Sequence, residues 1–194
     1  TSVLLSTDMF TLIDEDGIVP IDQFVKTDED KKWLQGFFPG FMLNSQTGGQ
    51  PWGVPFQRST IVLYWNKEAF KEAGLDPETP PKTWQEQVAF AEKLTKRDAS
   101  GNVTQWGVQI PSSGFPYWLF QALTTQAGAV LMNQEGNQTY FDKPEVVEAL
   151  QYWVDLSNKY KVQPPGIVEW GTTPKDFFER KVAMKWTTTG NLTN

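Results

Sequence analysis

The most constraining feature of this chain is a six-residue run rich in β-branched and aromatic residues, Thr60-Ile-Val-Leu-Tyr-Trp65. Side chains of these types pack well on a pleated surface, so the run predicts a buried strand. Small and polar residues precede it from Gly53, and a short helix is predicted to begin at about Asn66. The polar side chains Arg58 and Ser59 therefore stand where the chain enters the strand.

Strand-like and helix-like segments alternate along the chain. Ser2 to Ser6 is predicted to be a strand, Thr83 to Glu86 has the capping-box pattern that opens a helix, and Trp106 to Ile110 is strand-like. Asn133 to Asn137 is predicted to be a turn, and the longest helix is predicted after Asp142. Its core-facing stripe is predicted to be Val146, Val147, Leu150, Trp153, Val154 and Tyr160. Such alternation is typical of an α/β fold.

The composition excludes several kinds of chemistry. The 194 residues contain no cysteine and no histidine, which removes thiol nucleophiles, Ser-His triads, disulfides and His/Cys zinc sites. Hydrophobic residues make up 39%, enough for a packed core, and the net charge of −6 argues against binding to nucleic acid. The sequence has no apolar run of about 18 residues, so no membrane-spanning segment is predicted. We expect no cofactor and no bound metal.

The first candidate ligand contacts are Gln57, Arg58 and Ser59, just before the predicted strand. Two roles are open for Arg58. It could form a surface salt bridge of little consequence. It could instead lie in a cleft, where its planar set of donors would hold an anionic or hydroxyl-rich ligand.

The second candidate is the aromatic segment around Pro116. Phe115, Tyr117 and Trp118 cannot all face one core, because they follow Gly114 within four residues. Either Trp118 and Phe115 pack inward, or the rings form a wall for flat, partly apolar ligands such as sugar rings. Nine tryptophans are more than a core of this size needs, which favours a carbohydrate-type site.

The third candidate follows the predicted strand Val182 to Trp186. Thr188, Thr189 and Gly190 lie there, before what looks like the start of a helix. These residues could cap that helix in the ordinary way. Alternatively, the backbone amides of a helix start could bind oxygens of a ligand, especially anionic ones.

The fourth candidate comprises Ser6, Thr7 and Asp8, at the end of the first predicted strand. Ligands of α/β folds bind at strand ends, so the position fits a site. Asp8 with a second carboxylate could also form a glycosidase pair, which needs neither histidine nor cysteine. Nothing in the sequence fixes a second carboxylate near Asp8.

Two long segments, Gly53 to Pro77 and Pro80 to Glu86, closely resemble the extracellular solute-binding proteins of bacterial ABC importers. The branch is the one with maltose-, sugar- and glycerol-3-phosphate-binding members. Phe178 to Met184 followed by Thr188 to Asn194 resembles a helix-strand-loop of this family, and Val3 to Asp8 resembles its early strand. Together these matches cover nearly the whole chain in the right order.

The resemblance implies an α/β fold of the type II periplasmic-binding-protein kind, with two lobes joined by crossing strands. Only part of that fold is expected here: residues 1–60 as part of lobe one, 61–65 as a crossing strand and 66–194 as most of lobe two. It implies a monomeric, non-catalytic receptor, periplasmic or extracellular and in some forms lipid-anchored, that works with the membrane permease subunits of an importer. The alternatives are a carbohydrate-active hydrolase using Asp8 and the ligand-sensing core of a regulator.

Family ligand contacts carry over residue by residue. The matching positions are Ser6, Thr7, Asp8, Ser59 beside Arg58, Phe115, Tyr117, Thr189 and Gly190. Thr188 joins the predicted contacts because of its place at the strand end. Gly190 stands where the maltose-type members have an aromatic residue. This difference fits a smaller or glycerol-phosphate-like ligand, so we expect a sugar, a polyol or a phosphodiester.

Overall fold

The structure is a computed structural model that describes residues 2–133 and 136–192. The predicted turn over 133–137 and the end of the matched segment at Asn194 lie partly outside the described residues. The chain divides into two compact units, Thr1–Ser59 and Thr60–Asn194. The assignment of these parts of the chain to the lobes of a complete receptor stays a prediction.

The first unit is built from short elements. They are a 3-10 turn (Ser6–Asp8), α1 (Met9–Asp14), a 3-10 turn (Ile21–Phe24), α2 (Asp28–Gln35), α3 (Pro39–Met42), a 3-10 turn (Leu43–Ser45), β1 (Gln46–Thr47) and β2 (Gln50–Pro51). The start of α2 is fixed by a reciprocal cap. The Thr27 hydroxyl accepts the Asp30 amide at 3.1 Å, and the Asp30 carboxylate accepts the Thr27 amide at 2.8 Å.

The predicted strand from Ser2 to Ser6 is wrong. Residues 2–5 have no regular structure, and the 3-10 turn Ser6–Asp8 follows them. A strand needs a neighbouring strand for its backbone hydrogen bonds, and the described strands of this unit, β1 and β2, pair with each other. The Leu5 amide donates instead to the Asp8 carboxylate at 3.2 Å.

The second unit contains a mixed sheet with helices packed against it. Its elements are β3 (Ile61–Trp65), α4 (Lys67–Glu72), α5 (Trp84–Leu94), β4 (Lys96–Arg97), β5 (Val103–Gln109), α6 (Pro116–Gln126), α7 (Pro144–Asn158), α8 (Thr173–Phe178), β6 (Val182–Thr188) and a 3-10 turn (Thr189–Asn191). The strand order is β3-β6-β5-β4, with β5 and β6 parallel and the other neighbours antiparallel. The predicted strand before Asn66 is confirmed as β3. Across residues 2–133 and 136–192, no helix is both long enough and apolar enough to cross a bilayer.

The centre of the second unit is β6, which is buried along its whole length between β3 and β5. Large apolar side chains from the helices and the sheet form one core around it, among them Phe70, Leu94, Leu119 and Met184. Burial of each such side chain stabilises the fold by about 1.5–3 kcal/mol. The sheet edges and their loops are therefore held on a rigid base.

Helix α5 packs unusually close to β5. A Cβ atom added at Gly107 would lie 2.1 Å from the carbonyl oxygen of Ala91, in the middle of α5. The predicted cap of this helix is present in altered form. The Thr83 hydroxyl accepts the Glu86 amide at 3.1 Å, and the Glu86 carboxylate accepts the amide of Lys82, not that of Thr83.

The predicted core stripe of α7 is wrong for three residues. Val147, Leu150 and Val154 are 52%, 50% and 43% exposed. The face of α7 that enters the core is displaced around the helix and consists of Val146, Ala149, Tyr152 and Leu156. The Tyr152 ring stacks on Trp84 at 4.5 Å between centroids, and its hydroxyl donates to the buried Gln87 side chain.

Candidate functional site

One edge of the sheet in the second unit carries five of the ten predicted ligand contacts. Because β5 and β6 are parallel, their carboxyl ends meet at the same edge, and the antiparallel β3 begins there. The segment after β5 leads into α6, and the segment after β6 forms the 3-10 turn Thr189–Asn191. Ligands of open α/β sheets bind outside the carboxyl ends of strands, so this edge is the expected place for a site.

Hydrogen bonds hold the loop after β6 in place. The Thr188 hydroxyl accepts the Gly190 amide at 3.3 Å, so Thr188 acts as a cap of the turn. Thr189 bonds to Thr60 through both its backbone amide (3.0 Å) and its hydroxyl (3.3 Å). Thr189 and Gly190 are exposed, whereas Thr188 is buried. The loop therefore offers a rigid, polar and accessible surface.

The rings of Phe115, Tyr117 and Trp170 form an aromatic cluster at the start of α6. Phe115 packs edge-to-face on Trp170 at 5.6 Å and on Tyr117 at 6.4 Å between ring centroids. Tyr117 is 52% exposed. Gly114 allows the close approach, because it has φ of +78° and an added Cβ would lie 2.9 Å from the Trp170 Cβ. Such a cluster can contact the apolar face of a ligand.

Two loops are joined behind the aromatic cluster. The Ser112 amide donates to the Val168 carbonyl at 2.8 Å, and the Val168 amide donates to the Ser112 hydroxyl at 2.9 Å. The Ser113 hydroxyl donates to the Glu169 carboxylate. These bonds bring Trp170 to Phe115, and Trp170 is not among the candidate residues predicted from the sequence.

A buried cation lies beneath this edge. Lys185 on β6 is 1% exposed, and its Nζ lies 5.2 Å from the Tyr64 ring centroid, 5.0 Å from that of Phe177 and 5.4 Å from that of Phe178. Burial lowers the pKa of Lys185 below its ordinary value. The Tyr64 hydroxyl donates to the Thr188 carbonyl at 3.1 Å, which joins this layer to the loop after β6.

The predicted contacts of the first unit are Ser6, Thr7, Asp8 and Ser59, together with Arg58. Thr7, Asp8 and Ser59 are exposed and Ser6 is half-buried. The Asp8 carboxylate accepts the Leu5 amide, which is the behaviour of a capping residue. Their role in ligand binding stays a prediction.

Arg58 braces a loop of the first unit. Its Nε donates to the Phe41 carbonyl at 3.1 Å, one Nη to the Ser45 hydroxyl at 2.6 Å and the other to the Gln57 carbonyl at 3.3 Å. An arginine has five N–H groups, so most of its donor capacity is used inside the protein. A structural role for Arg58 therefore competes with the predicted role of offsetting the charge of a ligand.

We expect Arg58→Ala in the full-length protein to lower the affinity for a neutral ligand and for an anionic ligand by factors that agree within about twofold. The reason is that the bracing role acts on loop geometry and not on the charge of the ligand. Calorimetry with a neutral sugar and with glycerol-3-phosphate measures both factors. Hydrogen exchange should increase at the amides of residues 41–45. A loss confined to the anionic ligand would contradict the bracing role and favour direct contact.

The described part of the chain contains no cluster of three or more Asp, Glu, His or Cys side chains arranged to hold a metal ion. The accessible groups at the sheet edge are instead aromatic rings, threonine hydroxyls and backbone amides. These groups bind by ring contact and hydrogen bonding.

Comparison with protein families gives one match over nearly the whole chain. The family described as bacterial extracellular solute-binding protein matches residues 3–192. A curated relative is the sn-glycerol-3-phosphate-binding periplasmic protein UgpB of Yersinia pestis, which is 36% identical over 155 residues. The match covers 77% of this chain and 34% of UgpB, so the chain spans about a third of that relative.

Solved structures give the same fold. An ABC transporter solute-binding protein from Thermotoga lettingae TMO, bound with α-D-tagatose, superposes with a TM-score of 0.81 at 24% identity, over 94% of this chain and 46% of that one. CpMnBP1 with mannobiose bound superposes with a TM-score of 0.74 at 29% identity, over 95% of this chain and 46% of that one. The predicted type II fold, present in part, is therefore confirmed.

Proposed function

This chain belongs to the family of bacterial extracellular solute-binding proteins, and from that premise we propose that it forms part of the solute receptor of an ABC importer. The observation that carries the proposal is the aromatic cluster of Phe115, Tyr117 and Trp170 at the carboxyl edge of the sheet. In the whole protein, that edge would line a cleft between two lobes. The receptor binds its ligand without changing it.

The mechanism follows from the groups at the edge. The aromatic cluster contacts the apolar face of the ligand, while Thr189 and the Thr188 hydroxyl supply hydrogen bonds, and Ser59 of the first unit is proposed to add another. Closure of two lobes around the ligand excludes water, and each polar contact becomes stronger because the local dielectric constant falls. Ser6, Thr7, Asp8 and Gly190 complete the proposed contacts.

We propose a sugar, a polyol or a glycerol-3-phosphate-like molecule as the ligand. The name of UgpB specifies sn-glycerol-3-phosphate, and CpMnBP1 holds mannobiose, so relatives of both ligand types support this class. Gly190 has no side chain to extend the aromatic surface, which favours a small ligand over a long oligosaccharide. Direct contact of Arg58 with an anionic ligand is the alternative to its bracing role, through the two N–H groups that its bonds to Phe41, Ser45 and Gln57 leave unused.

The surroundings of the receptor are part of the proposal. The family name indicates an extracellular location and UgpB is described as periplasmic, so we propose that the protein works outside the cytoplasmic membrane, with a lipid anchor as one form. Its macromolecular partners would be the permease subunits of the importer. We propose a monomer without nucleic-acid partners, in agreement with the net charge of −6.

Calorimetry on the full-length protein tests the proposal, with maltose, trehalose, glycerol-3-phosphate and glycerophosphodiesters as separate titrants. We expect saturable binding of one of these classes, with the ligand recovered unchanged after incubation. Hydrolysis of a bound ligand that disappears in Asp8→Asn would contradict the receptor function and support the hydrolase alternative. Failure of every titrant to bind would contradict the proposed ligand class.

A further inference from the structure

A three-residue motif lies in the turn between α6 and α7, apart from the predicted ligand contacts. Asn137, Gln138 and Thr139 have the pattern Asn-x-Thr without proline in the middle, which is the acceptor motif for N-linked glycans in exported proteins. All three residues are exposed. The motif is therefore accessible to an enzyme.

The turn holds the Asn137 side chain by its oxygen. Asn133 Oδ1 accepts the backbone amides of Asn137 at 3.1 Å and of Gln138 at 2.9 Å, so the other end of the Asn133 amide is a donor. That donor lies 2.7 Å from Asn137 Oδ1. Within residues 2–133 and 136–192, neither Asn137 Nδ2 nor the Thr139 hydroxyl forms a hydrogen bond. The nitrogen that would carry a glycan and the hydroxyl of the motif are therefore both available.

The backbone around the motif is lightly held. Thr139 pairs with Met132 in an isolated antiparallel bridge outside the main sheet, and the Tyr140 amide donates to the Leu131 carbonyl at 2.9 Å. Segments with few buried contacts and exposed backbone hydrogen bonds open at low cost in free energy. The segment can therefore leave its turn to enter the site of an enzyme.

A second complete motif among the described residues, 102–104, is built into the fold. Asn102 Nδ2 donates to the Asp98 carboxylate at 3.1 Å. The Thr104 hydroxyl donates to the Lys96 carbonyl at 3.3 Å, and Thr104 lies inside β5. The fold thus uses the nitrogen and the hydroxyl of this motif internally. A third motif, 191–193, extends beyond the described residues.

The turn lies at the opposite end of α6 from the aromatic cluster. The 11 residues of α6 span about 16 Å, so a glycan on the turn leaves the proposed solute edge open. Beside the turn, Val130 and Met132 are 60% and 49% exposed. A hydrophilic glycan there would cover apolar surface that otherwise favours association between copies of the protein.

We propose that Asn137 is an acceptor site for an N-linked glycan, transferred from an isoprenoid-pyrophosphate-linked sugar chain. Asn137 Nδ2 forms a bond to the anomeric carbon of the first sugar, and the bond from that carbon to the pyrophosphate oxygen breaks. The electron pair of the broken bond leaves with the pyrophosphate, and Nδ2 loses one proton to a base of the transferase. The proposal rests on the location outside the cytoplasmic membrane proposed above and not on the identity of the solute.

Treatment of the folded 194-residue chain with a purified oligosaccharyltransferase tests the proposal, with an isoprenoid-pyrophosphate-linked oligosaccharide as the donor. Peptide mapping by mass spectrometry locates the attached glycans. We expect a glycan on Asn137 and none on Asn102. Absence of a glycan from Asn137, or equal modification of Asn102 and Asn137, would overturn the proposal. The experiment involves no solute, so its failure is distinguishable from a failure of the proposed receptor function in calorimetry.

Thr139→Val and Thr139→Ser form a matched pair of variants. Valine keeps the shape of threonine without the hydroxyl, so Thr139→Val should lose the modification at Asn137, whereas Thr139→Ser keeps the motif and should retain it. Asn102→Gln removes the second motif and should leave the modification of Asn137 unchanged. Urea unfolding checks that Thr139→Val folds like the parent, as expected for an exposed side chain. Equal modification of Asn137 in Thr139→Val and the parent would overturn the assignment to this motif.

Discussion

Gly107→Ala is expected to destabilise the chain more than any exposed substitution, by about 3 kcal/mol, which corresponds to about 6–12 °C in Tm. The added Cβ would lie 2.1 Å from the Ala91 carbonyl oxygen and 2.5 Å from its Cα. Both are backbone atoms of α5, so no side-chain rotation relieves the contact. The helix or the strand would have to move.

The surroundings of Gly107 make such a movement costly. Its amide donates to the Val162 carbonyl at 3.1 Å and to the Thr95 hydroxyl at 3.0 Å. These two hydrogen bonds resist a shift of β5 away from α5. Ala91 is completely buried in the core. Displacement of α5 from β5 would therefore open space in the core as well as break hydrogen bonds.

Urea unfolding of the 194-residue chain measures this effect, and Gly171→Ala is the matched control. A Cβ added at Gly171 would meet no atom within 4 Å, and Gly171 does not have positive φ, so Gly171→Ala should leave stability within about 0.5 kcal/mol. Equal urea midpoints for the two variants would contradict the close packing of α5 on β5.

The sequence predicted best those elements whose propensity and capping residues lie within a few positions of each other. The run from Thr60 to Trp65 forms β3, and Asn66 caps α4, because its side chain accepts the Ala69 amide at 2.9 Å. Propensity and capping act within a few residues, so neither needs information about distant parts of the chain.

The errors lie where distant parts of the chain decide the outcome. In α7, Val146 and Val147 are both apolar, so the sequence allows two adjacent stripes; packing selects the one that includes Ala149 and Leu156. Ser2 to Ser6 has the composition of a strand but pairs with no strand of its unit among the described residues. Local pattern therefore predicts which segments are apolar better than which face or neighbour they adopt.

In the candidate site too, features set by neighbouring residues were predictable and features set by distant parts of the chain were not. Phe115 and Tyr117 were accessible to sequence reasoning because they are close together in the chain. Trp170 was not, because it reaches Phe115 through the bonds between Ser112 and Val168, which depend on the tertiary fold. Arg58 was identified as a polar residue at the right place, but its partners Phe41 and Ser45 are set by the loop of the first unit.

Trp170→Ala in the full-length protein is expected to lower affinity for a sugar or polyol by about 10- to 100-fold, equivalent to about 1.4–2.8 kcal/mol. The substitution removes one ring of the aromatic cluster and the edge-to-face partner that orients Phe115. Trp170→Phe should recover much of the affinity, because it restores a ring. Calorimetry with the ligand identified for the full-length protein measures both variants.

A change in folding must be separated from a change in binding, because Trp170 also packs against the core of its unit. Phe141→Ala is the matched control: Phe141 is in the same unit, is 57% exposed and does not belong to the aromatic cluster. It should leave affinity within about twofold of the parent, since a lone exposed ring contributes little to a distant site. If Trp170→Ala binds like Phe141→Ala while both remain folded in urea titrations, the aromatic cluster does not contact the ligand. In that case the hydroxyl and amide groups of the loop after β6 would have to supply the affinity.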